Sequence, residues 1–403
     1  MPALCLYFQV HQPCRLRHYT IFDVNHVHAY EDGGANLEIL NKVADQCYLP
    51  ANRIMLNLIR KHAGQFRIAF SISGILLDQL ERHRPDVLES FQAMVRTGSV
   101  ELLCETYYHS LAFLFSLKEF KHQVMLHKKK IQSLFGQTPK TFCHTELIYN
   151  NDLAKVVEKM NFKTVLAEGA DRILVGRSCH ALYRPAGCSK LKLLLRDYPF
   201  SDDIAFRYSD RKWPEYPLTA RKFAGWLQRT DAVKTVINLF MDYETFGEHQ
   251  SQETGIFEFL KAFPAEILKH PDFCFQTPSE VAATFEPSMS LDIPDFMSWA
   301  DEDRDLTAWL GNGMQADAIQ TLYKMEPQVY RRNSPQLMDT WRMLQTSDHF
   351  YYMCTKWSAD GDVHQYFNPY PSPYDAYINY MNILDDFSRQ LHKKPSSDKG
   401  CNP

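Results

Sequence analysis

The chain has 403 residues, of which 45% are hydrophobic and 23% charged, the composition of a folded globular protein rather than a disordered one. Its 44 lysines and arginines against 48 aspartates and glutamates give a net charge of −4, which argues against a large nucleic-acid surface. No apolar run approaches the ~20 residues that cross a membrane, and no secretory signal is visible. Ten scattered cysteines without a CxxC pair indicate a reducing, cytoplasmic location.

Short apolar runs that end in polar residues recur along the first 280 positions. Near-continuous apolar runs are typical of parallel strands covered on both faces, and the segments between them have helical patterns, most clearly at 50–61 and 116–135. This alternation predicts a β/α barrel or a doubly wound sheet, with the active site at the carboxyl ends of the strands. No GxGxxG follows a run, which disfavours a nucleotide site. The predicted strands are 3–10, 67–72, 100–104, 141–142, 164–167, 191–195, 236–241 and 273–275.

The pattern changes after about residue 286, where β-branched runs become rare and helical character dominates. Helices are predicted within 299–323, 328–345 and 374–391. We therefore predict a catalytic α/β domain over 1–285, a helical region over 286–395 that completes the active-site cleft, and a frayed polar tail over 396–403.

A strongly apolar run ends in the sequence DYETFGEH, which brings Asp242 and Glu244 to the end of a predicted strand. Burial beside apolar walls raises the pKa of a carboxyl group, as a general acid at neutral pH requires. The alternative is that these carboxylates only cap the strand or form a surface cluster.

Glu146 follows another predicted strand, and it could equally be a helix N-terminal carboxylate beside a capping Thr145. If both strands belong to one barrel, Glu146 and Asp242 meet at the same face. A separation of ~5–5.5 Å would suit a retaining glycosidase, and one of ~6.5–9.5 Å an inverting one. His11, at the end of the first strand, could bond a sugar hydroxyl, ligate a metal or satisfy a backbone carbonyl.

Taken in order, four motifs resemble those of glycoside hydrolase family 57. They are HQP at 11–13, the glutamate after the fourth strand, DYETFGEH at 242–249 and LQTSDHFYY at 344–352. Longer strings look like the α-amylase branch of that family: SDDIAFRYS at 201–209, SWADEDRDLTAWLGN at 298–312 and HQYFNPYPSPYDAYINYMN at 364–382.

The resemblance implies an incomplete (β/α)7 barrel followed by a helical region, acting with retention on α-1,4-glucans such as starch, glycogen or maltooligosaccharides, without metal or cofactor. Glu146 would be the nucleophile and Asp242 the general acid/base. The further substrate-binding residues would be His11, Glu244, Asp348 and Asp78, the last standing where the family usually has glutamate, together with Tyr243, His249 and Trp299 beside the carboxylates.

Three alternatives stay open. A 4-α-glucanotransferase or branching enzyme would use the same scaffold. No residue in the sequence shows whether water or a second sugar is the acceptor in the second step. A metal-dependent deacetylase or mannosidase would need a strand-end His and Asp set, of which only one His is evident. A catalytically silent glucan-binding protein would have lost a carboxylate that this chain retains.

Overall fold

The computed structural model describes residues 2–229, 236–356 and 368–393. The chain divides into two compact units: unit 1 contains residues 2–13 and 36–306, and unit 2 contains residues 14–35 and 307–393. The predicted change near residue 286 therefore falls inside unit 1, and the early segment 14–35 groups with the C-terminal helices. The predicted tail 396–403 lies outside the described residues. Within the described ranges, no helix is both long and apolar enough to cross a membrane.

Unit 1 contains every strand predicted from the sequence. Two further strands, β6 and β10, were not predicted, since each is only three residues long and β10 is largely exposed. The strands are β1 (Ala3–Val10), β2 (Ile68–Ile72), β3 (Val100–Leu102), β4 (Thr141–Phe142), β5 (Thr164–Glu168), β6 (Tyr183–Pro185), β7 (Lys192–Arg196), β8 (Val236–Asp242), β9 (Cys274–Phe275) and β10 (Met289–Leu291).

These strands form two five-stranded sheets. In the first, the order is β3-β2-β1-β8, and β9 also pairs with β1; in the second, it is β10-β6-β7-β5-β4. The β6–β7 pair is antiparallel and the other pairs in these two sheets are parallel. Parallel pairing brings the carboxyl ends of neighbouring strands to one edge, as the register of Gln9 opposite Asp242 illustrates.

Strand β1 shows why these runs are apolar throughout, because all eight of its residues are buried. Leu4, Leu6 and Phe8 enter a large core shared with the surrounding helices. Cys5 and Tyr7 point the other way, into a smaller core built mainly from side chains of the strands themselves. Both faces are therefore covered, as a parallel sheet between two layers requires.

The helices follow the predicted pattern. In unit 1 they are α1 (Gly33–Val43), α2 (Leu49–Lys61), α3 (Gly74–His83), α4 (Pro85–Val95), α5 (Ala112–Phe115), α6 (Leu117–Phe135), α7 (Asn151–Lys159), α8 (Asp171–Leu174), α9 (Tyr198–Ala205), α10 (Ala220–Arg229), α11 (Ile256–Leu268) and α12 (Pro278–Thr284). Helix α6 shows its local causes: the Ser116 hydroxyl accepts from Glu119 N at the start, and Gly136 ends it at φ 70°.

Unit 2 is helical, as predicted for the C-terminal part of the chain. Its helices are α13 (Thr307–Leu310), α14 (Gly313–Lys324), α15 (Glu326–Arg332), α16 (Pro335–Met343), α17 (Ser347–Tyr351) and α18 (Pro373–His392). Segment 14–35 is bound to α18 through the buried Asp386. That carboxylate accepts hydrogen bonds from Tyr30 Oη at 2.6 Å, from His28 Nδ1 at 2.8 Å and from Asn25 N at 2.7 Å.

Candidate active site

Glu146 lies in a single turn of 3₁₀-helix directly after β4, with a left-handed backbone at φ 58° and ψ 25°. That conformation is uncommon for residues other than glycine, and such residues persist where surrounding contacts hold them. Here the contact is with segment 293–299: Trp299 N donates to Glu146 O at 3.2 Å, and Trp299 Nε1 donates to Glu146 Oε2 at 2.8 Å. The glutamate side chain remains 20% exposed, so its carboxylate is accessible from solvent.

Trp299 is itself held in place by side chains of the strands. Its ring stacks on Phe240 of β8 with centroids 4.9 Å apart, and Phe240 stacks on Tyr7 of β1 at the same distance. The Arg196 guanidinium lies 5.6 Å from the indole and donates to Phe240 O at 2.7 Å. The indole that bonds Glu146 is therefore fixed by two strands at once.

His109 approaches Glu146 from the segment after β3. Its Nε2 lies 3.3 Å from Glu146 Oε1, and its Nδ1 lies 2.6 Å from Glu105 Oε2. The ring also stacks on His11, with centroids 4.0 Å apart. His11 in turn pairs its Nδ1 with Ser73 Oγ at 2.7 Å. The structure thus brings the predicted residues His11 and Glu146 to either side of one histidine.

Glu105 is fully buried and anchors this histidine. Gln9 Nε2 donates to Glu105 Oε1 at 2.9 Å, and Ser71 Oγ donates to the same atom at 2.8 Å. Burial alone would raise the pKa of Glu105, but the positive charge and hydrogen bond of His109 hold it at about 2. Burial likewise opposes charge on His109, yet the Glu105 carboxylate raises the pKa of that imidazole well above its ordinary value. His109 is therefore an imidazolium that lies between the carboxylates of Glu105 and Glu146.

Asp242 is the last residue of β8, and the turn Tyr243–Thr245 follows it directly. Glu244 is buried in that turn and accepts a hydrogen bond from the Tyr48 hydroxyl. Burial and the nearby charge of Asp242 raise the pKa of Glu244 to about 8, although hydrogen bonds from Tyr48 and Gln12 act in the opposite direction. Of this strand-end pair, Glu244 therefore holds its proton near neutral pH.

Tyr243 is fully buried beside this strand end, whereas His249 is partly exposed. The Tyr243 ring is fully buried against Phe8 and Phe70, and its hydroxyl donates to Asn52 Oδ1 at 2.8 Å. Tyr243 therefore packs in the aromatic core, and its role in binding substrate stays a prediction from the resemblance. His249 N donates to the Glu244 carbonyl at 2.9 Å, and burial lowers the pKa of its imidazole to about 4.

Asp78 lies on α3, away from the hydrogen bonds that surround Glu146. Its carboxylate accepts from Tyr107 Oη at 2.8 Å and from Lys130 Nζ at 2.7 Å. Asp348 lies in the first turn of α17 in unit 2, where its charge adds to burial in raising the pKa of Tyr352. The structure thus joins His11, Glu146 and Trp299 in one network, and Asp242 and Glu244 in a second.

Glu105, His109 and Ser73 belong to the first network, although no sequence motif predicted them as site residues. Glu105 directly follows the predicted strand 100–104. Its position after a strand was the available signal, since Gln9 and Ser71, which bond it, lie next to last in neighbouring strands of the same sheet. His109 reaches Glu105 through a left-handed backbone conformation at φ 50°, which no local sequence pattern predicts.

Comparisons with known proteins agree with this architecture. Residues 5–294 match the model of Glycosyl hydrolase family 57. A Methanocaldococcus jannaschii protein named "Putative alpha-amylase" is 42% identical over 97% of this chain and 86% of its own length. Two solved structures share the fold at 14% identity: a family 57-type branching enzyme from Pyrococcus horikoshii, with TM-score 0.68 over 91% of this chain and 87% of that one, and the alpha-amylase AmyC from Thermotoga maritima, with TM-score 0.65 over 97% and 94%.

Proposed function

The chain belongs to glycosyl hydrolase family 57, and we propose that it is a retaining α-amylase that cleaves α-1,4 bonds in starch, glycogen or maltooligosaccharides. The observation that carries this proposal is the carboxylate of Glu146, which is accessible and yet held by Trp299 on one oxygen and His109 on the other. A nucleophile needs such fixed orientation together with access to the substrate.

In the proposed first step, a Glu146 oxygen attacks the anomeric carbon of the sugar and the bond to the departing sugar oxygen breaks. In the reacting form the single proton of the Asp242–Glu244 pair lies on Asp242, which passes it to that oxygen, and a β-glycosyl ester remains on Glu146. In the second step Asp242, now a carboxylate, takes a proton from water. The resulting hydroxide attacks the anomeric carbon, frees Glu146 and restores the α configuration by two inversions.

Other groups suit the binding of sugar hydroxyls. The His11 imidazole stacks beside His109 and is one such group. Glu244 is another, because it holds its proton near pH 7 and can donate to a sugar hydroxyl or accept from one. His249, neutral because burial lowers its pKa, is a further hydrogen-bonding group of the same loop. Asp348 stays a proposed sugar contact because of its family motif, whereas Tyr243 supports the site from the core.

We further propose that unit 1 is the incomplete (β/α)7 barrel implied by the resemblance. The barrel would be formed by seven parallel strands, β1 to β5, β7 and β8. Two sets of contacts support this arrangement at the junctions between the sheets. Cys104 and Phe142 form a parallel bridge after β3, and Asp197 N donates to Asn238 O at 2.8 Å between β7 and β8.

A cytoplasmic location is also part of the proposal. Cys5, Cys47 and Cys104 are buried free thiols, which suit a reducing compartment. A neutral polysaccharide also requires no electrostatic steering, which agrees with a net charge of only −4.

Hydrolysis and glucan transfer use the same two carboxylates, and the branching enzyme noted above has this fold. Product analysis on maltopentaose separates the two activities. We expect shorter oligomers and an initial excess of the α-anomer at the new reducing end. Products longer than maltopentaose would show that transfer dominates, and an initial β-anomer would exclude retention.

The roles of Glu146 and Asp242 can be distinguished by azide rescue with a maltooligosyl fluoride, whose leaving group needs no acid. Glu146→Ala should give the β-glycosyl azide, because azide enters from the side that the nucleophile vacates. Asp242→Ala should give the α-glycosyl azide, because azide attacks the glycosyl-enzyme. Glu248→Gln, which removes another carboxylate after β8 that pairs with Lys42, should keep wild-type turnover. Full activity of Glu146→Ala without azide would overturn the proposal.

A further inference from the structure

Cys179, His180 and Asp197 bring a thiol, an imidazole and a carboxylate together outside the two carboxylate networks of the candidate site. Their ligand atoms lie within 4.8 Å of one another. His180 Nε2 is 2.6 Å from Asp197 Oδ2, and Cys179 Sγ is 4.0 Å from the same oxygen. The first two residues precede β6, and Asp197 directly follows β7, so residues distant in sequence converge here.

We propose that these three residues bind a zinc ion that ties segment 175–182 to the end of β7. Zinc takes sulfur at about 2.3 Å and nitrogen or oxygen at about 2.0–2.2 Å, so the ligand atoms around one ion stand roughly 3–4 Å apart. The sulfur–oxygen separation already matches this spacing. The nitrogen–oxygen separation must widen by about 1 Å, which a small rotation of either side chain achieves.

Backbone and cap contacts already position the three ligands. The other oxygen of Asp197 accepts from Phe200 N at 3.0 Å, which caps α9, while Asp197 N donates to Asn238 O at 2.8 Å. The His180 carbonyl accepts from Val236 N at 3.1 Å, at the start of β8. Contacts of this kind orient metal ligands and reduce the cost of assembling the site.

Gly169 allows the segment that carries Cys179 to approach the strand ends. A Cβ at position 169 would clash with the carbonyl oxygen of Arg196 and come within 3.0 Å of Cys179 Cβ. This packing would not tolerate a larger residue, so the close approach of Cys179 to Asp197 is built into the fold. Adjacent cysteine and histidine with an aspartate 17 positions later fit no short zinc motif, which is why the sequence predicted no metal.

The binding step balances in charge and in protons. Zinc replaces the thiol proton of Cys179, which passes to solvent as the sulfur–zinc bond forms. His180 binds through the lone pair of Nε2, so the proton that this atom shares with Asp197 moves to Nδ1. Thiolate and carboxylate then neutralise the charge of the ion, and three protein ligands leave a fourth position for water.

Cobalt(II) is the probe for this site, because a thiolate–cobalt bond absorbs in the near ultraviolet. The full chain is stripped of metal with a chelator, dialysed and titrated with CoCl₂. We expect wild type and the matched control Cys188→Ser to bind one equivalent with this absorption, which zinc then abolishes. Cys179→Ser should show no such band. Absence of the band in wild type, or an equal band in Cys179→Ser, would overturn the proposal.

Thermal unfolding supplies a readout that is independent of glucan cleavage. Zinc at saturating concentration should raise the Tm of wild type and Cys188→Ser by roughly 5 °C, since ligand binds only the folded chain. The Tm of Cys179→Ser should not respond to zinc. Asp197→Asn, whose amide oxygen can still cap α9, serves if the cysteine variant does not fold, and should also lose the response. An equal rise in the variant used would contradict the assignment.

Discussion

Glu105 and Glu244 are both buried glutamates that follow strands of unit 1, yet their carboxyl groups titrate in opposite directions. The pKa of Glu105 falls to about 2 and that of Glu244 rises to about 8. Burial raises the pKa in both cases, so burial does not explain the difference. The decisive neighbours are the His109 imidazolium beside Glu105 and the Asp242 carboxylate beside Glu244.

The identity of the nearest charge therefore divides this site into two halves, one around Glu105 and one around Glu244. On the side of Glu105, the buried carboxylate of Glu105 holds the His109 imidazolium against the proposed nucleophile, Glu146. On the side of Glu244, two carboxyl groups share a region in which one proton stays bound near neutral pH. A retaining glycosidase needs such a division, because one carboxyl group must be ionised while protons remain available on the other side.

The largest effect should come from the pH dependence of stability on the Glu244 side. The folded chain keeps the Glu244 proton up to about pH 8 and the unfolded chain loses it near pH 4.5, so the folded state binds more protons between these values. Its stabilising contribution is therefore complete below pH 4.5 and is lost as pH rises, by roughly 4–5 kcal/mol in total. Guanidinium unfolding of wild type and Glu244→Gln at pH 5 and pH 8 measures this loss.

The subtraction between the two proteins cancels other titrating groups. We expect wild type to lose more stability than Glu244→Gln between pH 5 and pH 8. The Glu105 side should behave in the opposite way, because its lowered pKa gives stability that is present above pH 4.5 and lost as pH falls through about 2. Parallel curves for wild type and Glu244→Gln would remove the basis of the comparison.

Glu105→Gln should have the next largest effect, because it leaves the buried His109 without its anionic partner. We expect the free energy of unfolding at pH 7 to fall by about 3 kcal/mol. The value of kcat/KM should fall about 100-fold, since the histidine no longer orients Glu146. Glu89→Gln, on the exposed surface of α4, is the control and should change neither quantity. A variant with normal kcat/KM but reduced stability would limit Glu105 to a structural role.

Trp299→Phe removes one hydrogen bond to Glu146 and keeps most of the ring that stacks on Phe240. We expect kcat to fall about tenfold with little change in KM, because the lost bond, worth about 1.5 kcal/mol, orients the nucleophile rather than the sugar. Steady-state kinetics on maltopentaose separate these terms. A large rise in KM with unchanged kcat would instead make Trp299 a sugar-binding surface.

Asp78→Asn should have the smallest effect. The carboxylate of Asp78 is partly exposed and already bound by Tyr107 and Lys130, outside both halves of the site. We expect kcat/KM to change less than about twofold, as for surface positions away from the chemistry. A loss of tenfold or more would show that Asp78 contacts substrate, as its place in the family motif suggested.

Much of the fold and part of the site could be predicted because they depend on local patterns. Continuous apolar runs predict the buried strands, and Glu146 and Asp242 lie close to the ends of two such runs. The contacts of Asp78 could not be predicted from its local string, because neither Tyr107 nor Lys130 is near it in sequence. The pairing of Glu105 with His109 escaped notice for a related reason. Hydrogen bonds from Gln9 and Ser71, on the paired strands β1 and β2, hold Glu105 in place, and a left-handed turn brings His109 to it.

The place of β1 in its sheet has a consequence for the order of events during synthesis. This strand is made before its partners β8 and β9, whose residues follow more than 230 positions later. At about 5–20 residues per second, the ribosome takes roughly 10–50 s to supply β8. Until then the run ALCLYFQV lacks these two partners and keeps an unpaired, strongly apolar edge, which must be shielded while the chain grows.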